Sequence, residues 1–306
     1  MNLNIKKNIE FTHFYKKLNL LSLILIVFSV LFLLFKGLNL GVDFKGGTLI
    51  EIRTNNSAIS ISEIRQSFMK MNLGDVTVKK FGKENDFLVK IETIKSDDPN
   101  FIKSINDKLS ADTGSEINFR RVENVGPKVS NELLKDGLLA IILSLAAMLF
   151  YIWIRFEWQF SLGAIIAIIH DVILTIGIFS ILSYEINLSI VAAILTIVGY
   201  SMNDTVVIFD RIRENLKKYP KNPISTISNT STNETLSRTL ITSVTTLLAL
   251  ISIYIFGGEI LKGFSFAMIV GVLVGTYSSI FVATPILNYT NVSSKSILKE
   301  DDNNTV

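Results

Sequence analysis

Six apolar runs, each long enough to cross a bilayer, dominate this 306-residue sequence. They cover 18–35, 137–154, 160–182, 188–209, 239–256 and 264–287. A helix needs about 20 apolar residues to span the hydrocarbon core, and lipid leaves no backbone polar group unsatisfied. The runs therefore predict a polytopic α-helical membrane protein. The first run follows Lys16 and Lys17 and precedes Lys36 without a small-x-small cleavage pattern. It reads as an uncleaved signal anchor.

The placement of Lys and Arg predicts the orientation. Lys6, Lys7, Lys16 and Lys17 precede the first run, Arg155 follows the second, and Arg211, Arg213, Lys217, Lys218 and Lys221 follow the fourth. Lys295 and Lys299 lie in the tail, and residues 183–187 carry neither Lys nor Arg. Both termini are expected in the cytoplasm. The predicted organisation is a cytoplasmic N-terminus at 1–17, a first span at 18–36, an external domain at 37–130, a five-helix bundle at 131–290 and a tail at 291–306. A polar cytoplasmic loop is expected at 210–237, holding a short surface helix around 211–218 and broken by Pro220 and Pro223.

The only long polar segment predicts a small α+β domain. Residues 47–53 read as a strand, 60–71 as a helix with Ser62 at its N-cap, and 75–81 and 86–92 as strands flanking a turn at 82–85. A second helix opens at Asp98 and Pro99 and runs through 101–109. Residues 115–122 form the last strand. The order βαββαβ suggests a ferredoxin-like domain. Gly41, Asp43, Gly46 and Gly47 form an elbow into it. Gly126 and Pro127 punctuate the exit.

Composition excludes several chemistries. The chain has no cysteine and two histidines, His13 and His170. Disulfides, thiolate zinc sites and thiol nucleophiles are excluded, and a His-based metal site is disfavoured. No cofactor is expected. A net charge of +3 gives no argument for nucleic acid.

Polar groups inside the apolar runs are the functional candidates, because a charged group in hydrocarbon needs a partner, a proton or a water-filled cavity. Asp204 lies in the fourth run, six residues before Asp210, so about 9 Å from its polar end. Arg238 opens the fifth run from the same side, which allows a pair; its bland alternative is a snorkelling anchor. His170 and Asp171 lie near the middle of the third run. They are candidates for a proton relay or for a helix contact, as are Asn203 and Thr242. Adjacent residues point about 100° apart on a helix, so His170 and Asp171 are not expected to face one neighbour. Gly271 and Gly275 form a GxxxG motif and are read as close helix packing.

Taken together, GVDFKGGT at 41–48, VGPKVS at 125–130, the His170-Asp171 pair, GYSMNDTVVIFDRIREN at 199–215, NETLSRTLITSVTT at 233–246 and the Gly-rich sixth run resemble the SecD/SecF family, in its SecF-type branch. Met202 stands where Ile is expected. The resemblance covers nearly the whole chain. It implies an RND-like membrane protein of the bacterial inner membrane, not an enzyme. It also implies work with SecD, the SecYEG channel and often YajC, using the proton motive force to complete preprotein export. It assigns Asp204 to proton passage with Arg238 as its partner, and pairs the external domain with SecD. A stand-alone RND-type exporter of lipid or small molecules is the alternative. One six-span half with one small domain is too little for the usual duplicated bundle. An intramembrane enzyme has only His170 and Asp171 to offer and no nucleophile.

Overall fold

The computed structural model describes residues 8–55, 59–80, 84–92 and 99–293. Six of its helices are long and apolar enough to cross a membrane. The first, α1, spans Phe11–Phe35. A two-residue strand β1 (Asn39–Leu40) and a short helix α2 (Val42–Lys45) form the elbow. The α+β domain follows as β2 (Gly47–Thr54), α3 (Ile61–Met69), β3 (Val76–Lys80), β4 (Asp86–Ile91), α4 (Pro99–Thr113) and β5 (Ile117–Val125). The remaining spans are α5 (Pro127–Arg155), α6 (Trp158–Leu182), α7 (Leu188–Lys218) and α8 (Ile224–Phe256). The last is a rod made of α9 (Gly258–Ser278), a π-helical turn (Ser279–Ala283) and α10 (Thr284–Tyr289). A two-residue strand, β6 (Glu185–Ile186), lies between α6 and α7.

The domain sheet is antiparallel with the order β3-β4-β2-β5, a ferredoxin-like arrangement. Alternation explains its two faces. Ile50 and Ile52 of β2, and Phe87, Val89 and Ile91 of β4, point to one side and pack with Ile64 and Phe68 of α3 and Ile105 and Leu109 of α4. Both helices therefore cover one face. Arg53 and Asp86, cross-strand partners, point to the opposite face and meet with a 2.5 Å contact. That carboxylate holds the Arg53 guanidinium above its ordinary range. The cap of α3 is Ser60, not Ser62. Its side chain accepts from Glu63 N, and Glu63 returns a bond to Ser60 N, a capping box. The expected turn at 82–85 falls partly outside the described residues, and Asp98 falls wholly outside them.

The elbow is tied to the bundle rather than to the domain alone. Strand β1 pairs in parallel with β6. Asp43 Oδ2 accepts from Leu188 N at 2.9 Å, and Asn187 Oδ1 accepts from Ile190 N at 3.2 Å, so two side chains cap the start of α7. Phe44 enters the core beside Ile190 and Ile194. Gly47 adopts φ +128°, and a Cβ there would lie 2.5 Å from Ile91 O, so only glycine fits. At the domain exit, Gly126 is the N-cap of α5 and Pro127 its first helical residue.

A second expectation is corrected. The polar segment 210–237 is not a loop. Helix α7 continues to Lys218, and α8 already begins at Ile224, leaving only the short connection 219–223. At 1.5 Å per residue these helices are about 46 and 50 Å long, well beyond a hydrocarbon core of about 30 Å. The excess forms an antiparallel polar hairpin. Asn215 bonds Ser231 at 2.9 Å, and Arg211 bonds Glu234 at 2.6 Å across it. Asn229 and Asn233 of the same extension accept from Phe11 N and Ile9 N, capping α1. Pro220 and Pro223 break the chain only at the tip, with Pro223 as the N-cap of α8.

Candidate functional site

Helices α6, α7 and α9 form the buried centre of the bundle, with α1, α5 and α8 flanking them. Small residues set the α7–α9 distance. A Cβ at Gly271 would lie 2.3 Å from Ile197 Cγ1, and one at Gly275 would lie 2.9 Å from Ser201 Cβ. The two helices therefore touch backbone to side chain, as GxxxG spacing permits. Ser278 and Ser279 follow Gly275 by three and four residues and continue the same face.

A buried polar seam runs through this contact. Asp171, 1% exposed, is its hub. Its Oδ2 accepts from Ser201 Oγ at 2.5 Å and from Ser278 Oγ at 2.8 Å, and its Oδ1 lies 2.8 Å from His170 Nδ1. Adjacent residues thus meet each other, which the 100° argument did not foresee. The imidazole turns its Nδ1 back to its neighbour while the carboxylate reaches α7 and α9. Thr205 Oγ1 and Ser279 Oγ lie 2.9 Å apart. Ser279 opens the π-helical turn, where Thr284 Oγ1 donates to Ser279 O at 2.8 Å. Such turns interrupt the regular ladder and recur at functional sites.

Asp204 sits one helical turn from Ser201 on α7 and is 3% exposed. Thr276 of α9 and Arg238 of α8 both act on it. Ser243 of α8 and Thr276 join at 2.7 Å, completing the wall. Among the described residues, Asp204 Oδ2 has no hydrogen-bond partner, nor has Thr239 Oγ1 one turn away from Ser243. A buried carboxylate oxygen without a partner is costly in its charged form, and a proton or a water relieves that cost. The arrangement can therefore exchange a proton at Asp204 in a wall of hydroxyls.

The other candidates fall in two groups. Asn203, Arg238 and Thr245 are exposed on the outside of α7 and α8, with Thr242 half-buried beside them and bonded back to Arg238 O and Thr239 O. The elbow residues Gly41, Asp43, Gly46 and Gly47, and the exit pair Gly126 and Pro127, lie far along the chain from this seam and anchor the domain. Ser201, Ser243, Thr276, Ser278 and Ser279 were not singled out in the sequence. The detectable signal was the small-residue face: Gly275 follows Gly271 by four residues, and Ser278 and Ser279 follow Gly275 by three and four.

Comparison with known proteins identifies the family. The family described as protein export membrane protein SecD/SecF, C-terminal, matches residues 105–293, and the SecD/SecF GG motif matches 31–58. A protein translocase subunit SecF from Rickettsia bellii (strain OSU 85-389) is 43% identical over 285 residues, covering 92% of this chain and 93% of the relative. One from Desulfurispirillum indicum is 44% identical over 274 residues, covering 88% and 87%. Among solved structures, SecDF of Thermus thermophilus, a translocon-associated membrane protein, superposes with a TM-score of 0.85 at 32% identity and 95% coverage of this chain. A super-membrane-facing form of SecDF gives 0.69 at 31% identity and 97% coverage. This chain spans 40% of the length of each SecDF chain.

Proposed function

Because the chain belongs to the SecD/SecF family of protein export membrane proteins, a multi-pass membrane protein with an accessory role in Sec export, we propose that it couples the proton motive force to preprotein movement as the SecF-type half of a SecD–SecF pair. The observation that carries this reading is Asp204: a buried carboxylate in a membrane helix, with one oxygen unpartnered and Arg238 acting on it. Desolvation favours the protonated form and a nearby cation the charged form. A conformational change that alters that balance binds and releases a proton. One charge falling through 100 mV supplies about 2.3 kcal/mol, enough to bias a two-state membrane protein without ATP. His170 and Asp171 lock α6 to α7 and α9 and transmit such a change through Ser201 and Ser278. The bundle sits in the bacterial inner membrane with both termini inside, and the α+β domain lies outside.

The partner surface follows from the same physics. Asn203, Arg238 and Thr245 are exposed on membrane helices, and lipid is a poor neighbour for them. A SecD-type half seated on α7 and α8 covers this stripe and closes the Asp204 chamber. The SecYEG channel and YajC are further partners on this reading, and the external domain works with SecD on the emerging preprotein. The chain lacks cysteine, so a single cysteine at Asn203 or Thr245 is a clean probe. Crosslinking in membranes should capture a SecD-type chain. Free access of lipid-soluble thiol reagents to both positions in the assembled complex would contradict the pairing and favour a stand-alone exporter.

A further inference from the structure

A groove of about 280 Å³ lies between α1, α6 and the end of the rod formed by the π-helical turn and α10. Leu23, Ile166 and Ile286 contribute to its apolar wall, and Asn19, Ser22 and His170 are its polar members. His170 is 1% exposed. Its Nδ1 is committed to Asp171, and the Tyr277 ring stacks against it at 6.1 Å with the planes 25° apart, yet among the described residues Nε2 has no hydrogen-bond partner. In either neutral tautomer that nitrogen needs one, as donor or as acceptor, and leaving it bare in the interior is costly. The rest of the seam offers none. Asp171 is already shared with Ser201 and Ser278, and Tyr277 Oη is engaged by Ser22 Oγ at 2.8 Å and Leu18 O at 2.8 Å.

The cavity can supply the missing partner. A water occupies about 30 Å³ and needs two to four polar groups, so this volume accepts several around Asn19, Ser22 and His170. Its outer end is placed for hydration. Asn19 lies directly after Lys16, Lys17 and Leu18, and both lysines are exposed at the end of α1 that such side chains hold at the membrane surface. From Asn19 to Ile26 the cavity follows α1 inward for about 10 Å.

We propose that this cavity is a hydrated vestibule that gives His170 Nε2 a water partner and makes the His170–Asp171 pair an exchangeable-proton site, reached by a route separate from Asp204. The titratable groups facing the imidazole are Asp171 on α6 and Tyr277 on α9. The α1 residues that share the groove with it are Asn19, Ser22, Leu23 and Ile26, and the α10 residue is Ile286, none of them titratable. The inference does not depend on proton-coupled export, because hydration and exchange are read on the resting protein.

The chain's two histidines make the test direct. His13→Gln removes the exposed one, leaving His170 as the sole ¹⁵N-imidazole signal of the full-length chain in liposomes. Solid-state NMR should show magnetisation transfer from water to the His170 ring. Leu23→Trp and Ile286→Trp, which fill the vestibule, should abolish that transfer while the Asp171-bound Nδ1 resonance keeps its position. Transfer from lipid acyl protons with none from water, in the unfilled protein, overturns the proposal whatever the filled variants do. Water transfer that persists in both filled variants overturns the route.

Discussion

Asp171 joins three helices through one carboxylate, and its removal strands more than one partner. Asp171→Ala leaves Ser201 Oγ, His170 Nδ1 and one bond of Ser278 without their acceptor inside the bundle. Each buried group left unpaired costs about 1–3 kcal/mol, so this variant should unfold at a clearly lower temperature in detergent. Asp171→Asn keeps the size and one acceptor oxygen and should lose less. Equal thermal midpoints for wild type and Asp171→Ala would show that the hub does not hold the helices. Gly271 makes a second residue-scale demand. A side chain there meets Ile197 at once, and overpacking of this kind costs about 1–3 kcal/mol. Gly271→Val should reduce thermal stability, and Ile197→Ala should partly restore it in the double variant. Absence of that rescue would show that the α7–α9 contact is not where the strain falls.

At the scale of elements, capping decides several boundaries. Ser60→Ala removes one half of the capping box on α3 and should destabilise the α+β domain by about 1 kcal/mol, read by chemical denaturation of the full chain. Ser62→Ala should be silent by comparison, and the reverse ranking would contradict the assigned cap. Periodicity made the strands, helices and spans readable, because burial on one face leaves an alternating or 3.6-residue pattern. It failed in two places for physical reasons. The Asn-, Ser- and Thr-rich segment 210–237 looks like a loop by composition, yet its two helices satisfy each other through Asn215, Ser231, Arg211 and Glu234. Propensity lost to tertiary pairing there. The seam was legible only where a residue is charged. Asp204, Arg238, His170 and Asp171 stand out in an apolar run, whereas Ser201, Thr276 and Ser278 look like ordinary packing residues until the helices are placed.

At the scale of the whole molecule, the elbow and the polar hairpin hold opposite ends of the bundle. Asp43 and β1 grip the start of α7, while Asn229 and Asn233 grip the start of α1. The proposed topology, with both termini inside, predicts that reporters fused after residue 90 register the outer side and those after residue 220 the cytoplasm. The opposite pattern would invert the topology. A change at Asp204 has two structural routes to the domain: along α7 to the Asp43 cap, and across the seam to α6. The central claim is that Asp204 must be able to ionise for the chain to use the proton gradient. Asp204→Asn retains size and hydrogen-bonding groups but carries no exchangeable charge. The direct measurement is preprotein export into membrane vesicles carrying either protein, with and without an imposed proton gradient. Equal incorporation of both proteins into the membrane, with gradient stimulation lost only in Asp204→Asn, is the predicted result. An Asp204→Asn protein that responds to the gradient like wild type would reduce Asp204 to a helix contact and contradict the coupling mechanism.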